Sequence, residues 1–417
     1  MTRALVLHPD IRADTSRRRP EDRLAEAEAL ARALPGIAVA GAEIVRLARV
    51  HPGTLFGSGK IDELKTRIAA DEIALVLVDG PVSPVQQRNL EKAWGVKLLD
   101  RTGLILEIFA DRARTREGVL QVELAALSYQ RTRLVRAWTH LERQRGGLGF
   151  VGGPGETQIE ADRRAIDEAV ARIRRQLDKV VKTRELHRAA RRKVPFPIVA
   201  LVGYTNAGKS TLFNRLTGAT VMAEDMLFAT LDPTMRAVTL ASGPRIILSD
   251  TVGFISDLPT QLVAAFRATL EEVLEADIIV HVRDISHPET EEQAEDVRDI
   301  LESLGVGDDT VQIEAWNKID RLDDERRAAL LAQDQRKPEV FALSAITGEG
   351  LAALVQAIAA ALDAPRTTAR LVVPYADGRR RAWLHDQGVV TEEVRTDQGF
   401  AITVHWSDRQ AQTFAAL

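Results

Sequence analysis

Apolar and polar residues along the first hundred positions follow two periods, and these define the first predicted elements. Ala4 to Leu7 and Ile73 to Val78 are short apolar runs typical of buried strands, and Ile37 to Leu47 is a further strand candidate. Glu21 to Leu34 repeats leucine and alanine at helical spacing before a Pro-Gly stop, and Ile61 to Ala70 predicts a shorter helix. Strands that alternate with helices predict a small α/β domain with a mostly parallel sheet.

Two long helical patterns follow, separated by a glycine-rich stretch. Gly118 to Arg145 has no proline and no internal glycine, and Glu156 to Arg192 is a second helical pattern. Between them, Gly146 to Gly155 holds six glycines and one proline, so we predict an αα-hairpin with an unusually shaped tip. From Arg131 to Lys193 there are 17 Lys and Arg against 8 Asp and Glu, a local net charge of +9. This charge fits either a solvated helix face or a basic prong for RNA phosphates, and its contrast with the rest of the chain favours RNA.

A third apolar run, Phe196 to Val202, leads into a glycine loop of fixed spacing. Gly203 to Ser210 reads G-x-x-x-x-G-K-S, and Ser210 to Leu216 predicts the first turns of a helix. Strand, glycine loop and helix are the context of a phosphate-binding loop, in which backbone N–H groups and the helix N-terminus face phosphate oxygens. In such a loop Lys209 reaches the β- and γ-phosphates and the Ser210 hydroxyl ligates magnesium.

Three short motifs stand at the ends of later predicted strands. In Asp250-Thr251-Val252-Gly253 the carboxylate can hold magnesium through water, and the glycine N–H can face a γ-phosphate. In Asn317-Lys318-Ile319-Asp320 the aspartate can accept two hydrogen bonds from guanine, a pair that adenine does not offer. Ser344-Ala345 supplies a backbone N–H for the guanine carbonyl. The order of these motifs after a phosphate loop predicts a domain that binds GTP and GDP.

A threonine-containing stretch, Phe228 to Thr234, lies between the phosphate loop and Asp250. In a nucleotide switch one threonine closes over magnesium when GTP is bound and is released on hydrolysis. Thr230 and Thr234 both qualify from the residues alone, and a threonine-rich surface loop is the simpler alternative.

Composition narrows the function classes. The 417 residues carry a net charge of −4 and no cysteine, which excludes disulfides, thiolate zinc sites and cysteine nucleophiles. No apolar run approaches about 18 residues, and Met1 to Arg19 does not read as a signal peptide, so we expect a cytoplasmic protein without a membrane span. We further expect a monomer in solution.

Two remaining segments carry less chemistry. Gly57-Ser58-Gly59-Lys60 is a fragment of a phosphate loop without the full spacing, and we interpret it as structural rather than nucleotide-binding. Near the end, Leu371 to Pro374, Val389 to Val394 and Ala401 to Val404 predict strands of a small unit whose tryptophans belong to its core.

The sequence as a whole resembles a known family. Its phosphate loop and strand-end motifs are similar to those of translation-factor-class GTPases. Gly153-Pro154-Gly155-Glu156-Thr157-Gln158, Gln121 to Ala125 and Asp100-Arg101-Thr102 are more specific, and with them the chain resembles the HflX family of ribosome-associated GTPases over roughly Thr54 to Leu362. Many members have a Thr-Arg pair before the Gly-Pro-Gly-Glu, where this chain has Val151-Gly152.

The resemblance implies a GTPase with magnesium that associates with the large ribosomal subunit and its rRNA and splits stalled or idle ribosomes. It implies an N-terminal α/β subdomain (1–112), a helical hairpin (113–194), a P-loop GTPase domain with a doubly wound, mostly parallel sheet (195–365) and a small C-terminal α+β unit (366–417). Magnesium ligands would be Ser210 and Thr230, and groups acting in hydrolysis Lys209, Thr230 and Gly253. The expected nucleotide-binding residues are Gly203, Tyr204, Thr205, Asn206, Ala207, Gly208, Lys209, Ser210, Thr211, Phe228, Ala229, Thr230, Leu231, Asp232, Asp250, Thr251, Val252, Gly253, Asn317, Lys318, Ile319, Asp320, Ser344, Ala345 and Ile346.

Two alternatives to a ribosome-acting GTPase remain at this point. A metabolic P-loop phosphotransferase or ATPase would use the same loop, although Asp320 argues for guanine. A GTP- and RNA-binding scaffold with little turnover stays open because Phe254 follows Gly253, where many such GTPases place a glutamine that orients water. We therefore predict slow intrinsic hydrolysis that ribosomes stimulate.

Overall fold

The structure is a computed structural model of the whole chain. It describes residues 1–12, 18–144, 154–191, 196–219, 227–228, 230–231, 233–240, 245–256, 272–307, 310–334, 337–362, 366–407, 410–411 and 414–415. Within this part, none of the helices combines the length and the apolar character needed to cross a bilayer.

The N-terminal unit is built on a four-stranded parallel sheet with the order β2-β1-β3-β4. Its elements are β1 (Thr2–Ile11), α1 (Pro20–Ala33), β2 (Ile37–Leu47), α2 (Ser58–Ala70), β3 (Leu75–Val78), α3 (Pro84–Trp94), β4 (Lys97–Asp100) and α4 (Arg101–Arg112). Alternate residues of β1 point to opposite faces of the sheet. Ala4 and Val6 pack in the cluster with α1 and α4, while Leu5 and Leu7 pack in the cluster with α2 and α3. Helices on both faces explain why the strands are continuous apolar runs.

Two boundaries in this unit differ from the sequence pattern. Strand β3 begins at Leu75 rather than Ile73, and helix α2 begins at Ser58 rather than Ile61. The Gly-Ser-Gly-Lys fragment therefore lies at the first turn of α2, as the structural interpretation expects. Lys60 in this turn pairs with Glu43 and, at 2.6 Å, with Glu63, so its charge is already matched by carboxylates.

The hairpin consists of α5 (Arg116–Gln144) and α6 (Pro154–Arg191), which contact each other. Arg131 on α5 pairs with Asp167 on α6 at 2.8 Å. The base of α5 docks on the N-terminal sheet, where Tyr129 donates a hydrogen bond to Asp100 at 2.6 Å. Most of the predicted glycine-rich tip lies outside the described residues, which resume at Pro154.

The predicted P-loop GTPase domain, called the GTPase domain below, has a six-stranded sheet with the order β10-β9-β8-β5-β7-β6, and among its described strands only the β6–β7 pair is antiparallel. Its elements are β5 (Ile198–Val202), α7 (Lys209–Thr217), β6 (Thr234–Thr239), β7 (Arg245–Asp250), β8 (Ile278–Asp284), α8 (Thr290–Leu304), β9 (Val311–Asn317), α9 (Asp324–Asp334), β10 (Val340–Ala342) and α10 (Leu351–Leu362). This arrangement confirms the predicted α/β class with a mostly parallel sheet. Strand β5 lies between β8 and β7, so the loop after β5 opens where the strand order changes direction, the usual ligand position in such sheets.

The C-terminal unit contains an antiparallel sheet with the order β11-β13-β12 and, among its described residues, helix α11. Its elements are β11 (Arg366–Val373), α11 (Gly378–Asp386), β12 (Val390–Thr396) and β13 (Gly399–Ser407). Trp406 is buried in its core and Trp383 packs against that core, so both tryptophans have the structural role predicted for them.

The N-terminal unit and the GTPase domain share one apolar cluster. Phe109 of α4 lies in the same cluster as Phe228, Val252 and Phe254. The N-terminal unit therefore packs directly against the segments that surround the phosphate loop.

Candidate functional site

The phosphate loop connects β5 to α7, and two of its glycines are required by the space around them. Gly203 has φ +149°, and a Cβ there would overlap the carbonyl oxygen of Val282. Gly208 has φ +96°, and a Cβ there would overlap the side-chain amide of Asn317. The loop thus depends on glycine both for its left-handed backbone and for its close contacts with β8 and β9.

Lys209 begins α7 and is buried beneath the loop. Its ammonium donates hydrogen bonds to the carbonyl oxygens of Gly203, at 3.0 Å, and Tyr204, at 2.8 Å. Burial lowers the pKa of Lys209 to about 8, although the nearby Asp250 opposes this shift. A phosphate group would supply the matching negative charge that this buried cation lacks.

Three oxygen-bearing side chains meet beside the loop. The Ser210 hydroxyl lies 2.9 Å from that of Thr230 and donates to Asp250 Oδ2 at 2.7 Å, and Thr230 also donates to Asp250 Oδ2, at 3.0 Å. The second oxygen of Asp250, Oδ1, is buried and has no hydrogen-bond partner among the described residues. Burial raises the pKa of Asp250 despite these hydrogen bonds. A compact set of hydroxyl and carboxylate oxygens with one orphaned acceptor fits a hydrated magnesium ion.

The segment after Asp250 pairs with the phosphate loop through its backbone. Thr205 N–H donates to the carbonyl of Phe254 at 2.7 Å, and Phe254 N–H donates to the carbonyl of Gly203 at 3.2 Å. A Cβ on Gly253 would lie 2.8 Å from Thr205 Cα, so only glycine fits between this segment and the loop. The Phe254 side chain is buried in the apolar core, and a phenyl ring has no hydrogen-bonding group that could orient water.

The predicted guanine motifs converge at the ends of β9 and β10. Asn317 donates to the carbonyl of Ala207 at 2.9 Å and accepts from the Ala345 N–H at 2.9 Å, so it ties the phosphate loop to the Ser-Ala loop. Lys318 has φ +69° and pairs with Asp284 at 2.7 Å. Asp320 lies exposed in the short 3₁₀ turn Ile319–Arg321, with its carboxylate available to a base.

Several of the predicted binding residues use their side chains for the protein itself. The Thr251 hydroxyl donates to the carbonyl of Leu201 at 2.7 Å, and Val252 packs in the apolar core. Ser344 is buried and its hydroxyl accepts from the Thr347 N–H at 3.1 Å, whereas Ile346 is 62% exposed. The remaining members are placed as follows: Asn206 has φ +60° in the loop, Ala207 and Ile319 are buried, and Thr211 lies in the first turn of α7.

The first predicted switch segment is described only in part. Phe228 has φ +57° and is buried against Phe109, with ring centroids 4.6 Å apart in an edge-to-face arrangement. Leu231 is buried beside it, while Ala229 and Asp232 lie outside the described residues.

Sequence reasoning missed two features of the site. Asp284, the partner of Lys318, belongs to no recognised motif, although its position at the end of β8, beside β5, was a usable signal. The Tyr204 phenol, a variable position of the loop motif, bonds to Glu26 in the N-terminal unit at 2.6 Å, a contact 178 residues apart in the chain.

Comparisons with known proteins agree along the whole chain. Family models match residues 21–110, described as GTP-binding GTPase N-terminal, and residues 112–191, described as GTP-binding GTPase middle region. Residues 198–318 match a model described as 50S ribosome-binding GTPase, and residues 329–415 one described as HflX C-terminal domain.

Curated relatives extend this result over most of the chain. GTPase HflX of Magnetococcus marinus is 52% identical over 369 residues, which cover 88% of this chain and 84% of that protein. GTPase HflX of Escherichia coli is 46% identical over 356 residues, 83% of each chain. A GTP-binding protein of Sulfolobus solfataricus solved in complex with GDP aligns with 22% identity and a TM-score of 0.47, over 87% of this chain and 99% of that one. The family models and the two HflX relatives confirm the resemblance noted in the sequence, the phosphotransferase and scaffold alternatives lose their support, and the chain belongs to the HflX family of GTPases.

Proposed function

We propose that this GTPase acts on the large ribosomal subunit, using GTP and magnesium to split stalled or idle ribosomes. Lys209 and the loop backbone would bind the phosphates, and Asp320 would accept hydrogen bonds from guanine, whereas the Ala345 N–H expected to meet the guanine carbonyl donates to Asn317. Ser210 and Thr230 would hold the magnesium ion, with Asp250 accepting from its water through the orphaned Oδ1. Bound there, the ion would neutralise charge on the β- and γ-phosphate oxygens.

The position of Thr230 is the observation that supports this assignment most. Thr230 lies at the hydroxyl of Ser210, in the arrangement that both side chains need to contact one cation. Thr234, the other candidate, instead begins β6 in register with Asp250. The segment carrying Thr230 would thus close over a magnesium ion and be released once the γ-phosphate is gone.

Hydrolysis by the protein alone lacks one component. Phe254 is buried in the core, so it offers no hydrogen bond to the attacking water. Positioning of water is a large part of catalysis in phosphoryl transfer. We therefore propose that the ribosome supplies or orders the missing group, and we expect turnover to rise several-fold or more when large subunits are added.

The hairpin supports a role on RNA. Helices of 29 and 38 residues reach on the order of 40 to 55 Å at about 1.5 Å per residue, far enough to carry their tip away from the nucleotide. Its excess of positive charge suits a phosphate backbone and would make binding salt-dependent.

Co-sedimentation with ribosomal subunits tests this proposal. The wild type and a variant with residues 146–155 replaced by a Gly-Ser linker would be compared with GDP, GTP and a non-hydrolysable analogue at several salt concentrations. We expect the wild type to sediment with large subunits when the analogue is bound, and the variant to lose this association while keeping its GTP affinity. Unchanged association of the variant would place the contact elsewhere, and no association of the wild type would overturn the ribosomal role.

A further inference from the structure

A buried polar cluster joins the N-terminal unit to the nucleotide site. We call Arg18, Glu26 and Arg101 of the N-terminal unit, with Tyr204 and Ser256 of the GTPase domain, the interdomain cluster. The side chains of Arg18, Glu26 and Arg101 are between 8% and 12% exposed, although each carries a charge. Buried charges persist only when they are paired and hydrogen-bonded, so these contacts demand a close and specific fit between the domains.

The Tyr204 phenol is the first connection in the interdomain cluster. Its hydroxyl donates to Glu26 Oε2 at 2.6 Å and accepts from the Ser256 N–H at 2.7 Å. Arg18 lies over the ring, 5.6 Å from its centroid, and donates to the hydroxyl at 3.2 Å. One side chain of the phosphate loop is therefore fixed by both the N-terminal unit and the segment after Gly253.

Arg101 is the second connection. Its guanidinium donates to Asp79 Oδ1 at 2.6 Å on one side and bonds to Glu26 on the other. It also donates to the carbonyl oxygen of Ser256 at 3.0 Å and to the Ser256 hydroxyl at 2.9 Å. The Ser256 hydroxyl in turn donates to Glu26 Oε1 at 2.9 Å, so Ser256 is held through three of its polar atoms.

Arg101 lies at the carboxyl edge of the N-terminal sheet, close to the point where the strand order reverses. Strand β1 lies between β2 and β3, so the order in which strands are added to the sheet reverses at β1. Open parallel sheets bind ligands at the carboxyl end of such a switch point. Here Asp79 follows β3, is bonded to His8 of β1 at 2.8 Å, and receives Arg101, which reaches out to Ser256. Open parallel sheets of this kind bind ligands at this edge, whereas in this chain the edge carries Arg101, which bonds to Ser256 of the GTPase domain.

Both segments that would meet a γ-phosphate are attached to this interface. Ser256 is three residues after Gly253, and Phe228 is two residues before Thr230. Phe228 is packed on Phe109 of the N-terminal unit, as described above. GTP carries a γ-phosphate that Thr230 and the Gly253 N–H would meet, whereas GDP lacks this phosphate.

We propose that Glu26, Arg101 and Tyr204 are positioning residues through which the N-terminal unit preorganises the γ-phosphate side of the site, so that docking of this unit favours GTP over GDP. Binding to a segment that is already ordered loses less conformational entropy than binding to a mobile one. Only GTP contacts these segments, so the gain in affinity applies to GTP and not to GDP. The coupling is reciprocal, so GTP tightens the docking of the N-terminal unit by the same factor. This inference rests on the proposed assignment of Thr230 and the Gly253 N–H to the γ-phosphate side of the site, and it does not depend on the ribosomal role.

Nucleotide affinities of a single-atom variant test the coupling. Tyr204→Phe removes the hydroxyl but keeps the ring under Arg18 and the backbone of the loop. We expect affinity for a non-hydrolysable GTP analogue to fall about tenfold, as for loss of one hydrogen bond to a charged group, while GDP affinity changes less than twofold. Ser256→Ala, which removes the hydroxyl between Arg101 and Glu26, should shift the ratio in the same direction. Equal losses for both nucleotides, or no loss, would overturn the proposal.

Tyr129→Phe is the matched control. Tyr129 donates to Asp100 at 2.6 Å within the N-terminal unit and its hairpin, so this variant loses a comparable bond without touching the GTPase domain. We expect its ratio of GTP-analogue to GDP affinity to equal that of the wild type. A shift as large as that of Tyr204→Phe would mean that general loosening, rather than the interdomain cluster, sets the ratio.

Distance measurements between the domains supply a readout that does not depend on affinity. The chain has no cysteine, so spin labels on Glu63→Cys in α2 and Glu325→Cys in α9 would be unique. We expect the distance distribution to narrow when the GTP analogue replaces GDP, and to stay broad in Tyr204→Phe. Distance distributions that are the same with both nucleotides and in both proteins would refute the claim that GTP tightens the docking of the N-terminal unit.

Discussion

The carboxyl edges of the two parallel sheets are built alike but filled differently. At the N-terminal sheet, Asp79 is bonded to both His8 and Arg101. At the GTPase sheet, Asp250 Oδ1 and Thr205 Oγ1 are buried without a hydrogen-bond partner among the described residues. Both carboxylate oxygens of Asp79 are bonded within the protein, although Arg101 Nε beside them has no partner among the described residues. The GTPase edge instead leaves a carboxylate oxygen and a hydroxyl that a ligand would satisfy.

The pKa values of the buried groups show the same contrast. Burial alone would raise the pKa of Asp79, but hydrogen bonds from His8 and Arg101 hold it below the usual range. Asp250 and Lys209 shift the other way, because burial raises the pKa of the carboxylate and lowers that of the ammonium. Sheet architecture therefore does not separate a binding site from a structural edge, whereas the balance of buried charge does.

The largest expected effect comes from comparing Lys209 of the phosphate loop with Lys60 of the Gly-Ser-Gly-Lys fragment. Lys209→Ala should weaken GTP binding by at least about a hundredfold, because the phosphates lose a buried cation and more than one charged hydrogen bond. Lys60→Ala should leave GTP affinity unchanged, since Lys60 already pairs with Glu43 and Glu63. Calorimetric titration of both variants decides the point, and a loss for Lys60→Ala would restore a nucleotide role to the N-terminal fragment.

The next largest expected effect is on base preference, at Asp320, the residue proposed to bind guanine. Asp320→Asn should exchange guanine preference for xanthine preference, because the amide donates a hydrogen bond where xanthine presents a carbonyl. We expect GTP affinity to fall by about ten- to a hundredfold, as two hydrogen bonds to a charged acceptor are lost. Competition between GTP and XTP measures the switch, and unchanged discrimination would show that another group reads the base. Asp323→Asn, just after the same turn, serves as the control.

Local patterns in the sequence predicted which segments meet at the carboxyl edge of the GTPase sheet. The phosphate loop, the Asp250 motif and the Asn317 motif each follow an apolar run, and parallel strands bring such strand ends to one edge. Strands β1 to β3 and helices α1 and α2 of the N-terminal unit were also predicted to within about four residues, since their apolar periods are strong, whereas α3, β4 and α4 were not predicted.

Contacts between distant segments could not be predicted in this way. Tyr204 occupies a variable position of the phosphate-loop motif, and no pattern in the surrounding sequence predicts its hydrogen bond to Glu26. Arg101 was noted only as part of a family-like motif, and its grip on Ser256 spans 155 residues. Asn317 was expected to serve nucleotide binding, whereas its amide joins two loops of the protein. Each of these roles arises from docking of complete units, which local periodicity does not encode.

Two buried histidines extend the comparison to acid stability. His8 on β1 is bonded to Asp79, whereas burial lowers the pKa of His281 on β8 to about 4, and the nearby Glu314 offsets only part of this. The unfolded chain binds a proton on His281 near pH 6.5 and the folded one does not, so stability falls as the pH drops from about 6.5 towards 4. The expected contribution is up to about 3 kcal/mol.

His281→Leu isolates this contribution. Urea unfolding of the wild type and the variant between pH 7 and 4.5 should give curves that diverge, with the variant losing less stability on acidification. Groups common to both proteins cancel in the difference. Parallel pH profiles would show that His281 is protonated in the folded domain.

The smallest expected effect concerns the apolar half of the interface. Phe109→Leu removes an edge-to-face ring contact with Phe228, and such pairs contribute about 0.5–1.5 kcal/mol beyond their buried area. Because Phe228 is two residues from Thr230, the loss should weaken GTP-analogue binding a few-fold and leave GDP binding unchanged. Phe56→Leu is the matched control, since Phe56 packs against Trp94 on the opposite face of the N-terminal sheet. A double-mutant cycle with Phe228→Leu should give a coupling near 1 kcal/mol in analogue binding. If Phe56→Leu lowers analogue affinity as much as Phe109→Leu, the effect comes from stability of the N-terminal unit rather than from its contact with the switch segment.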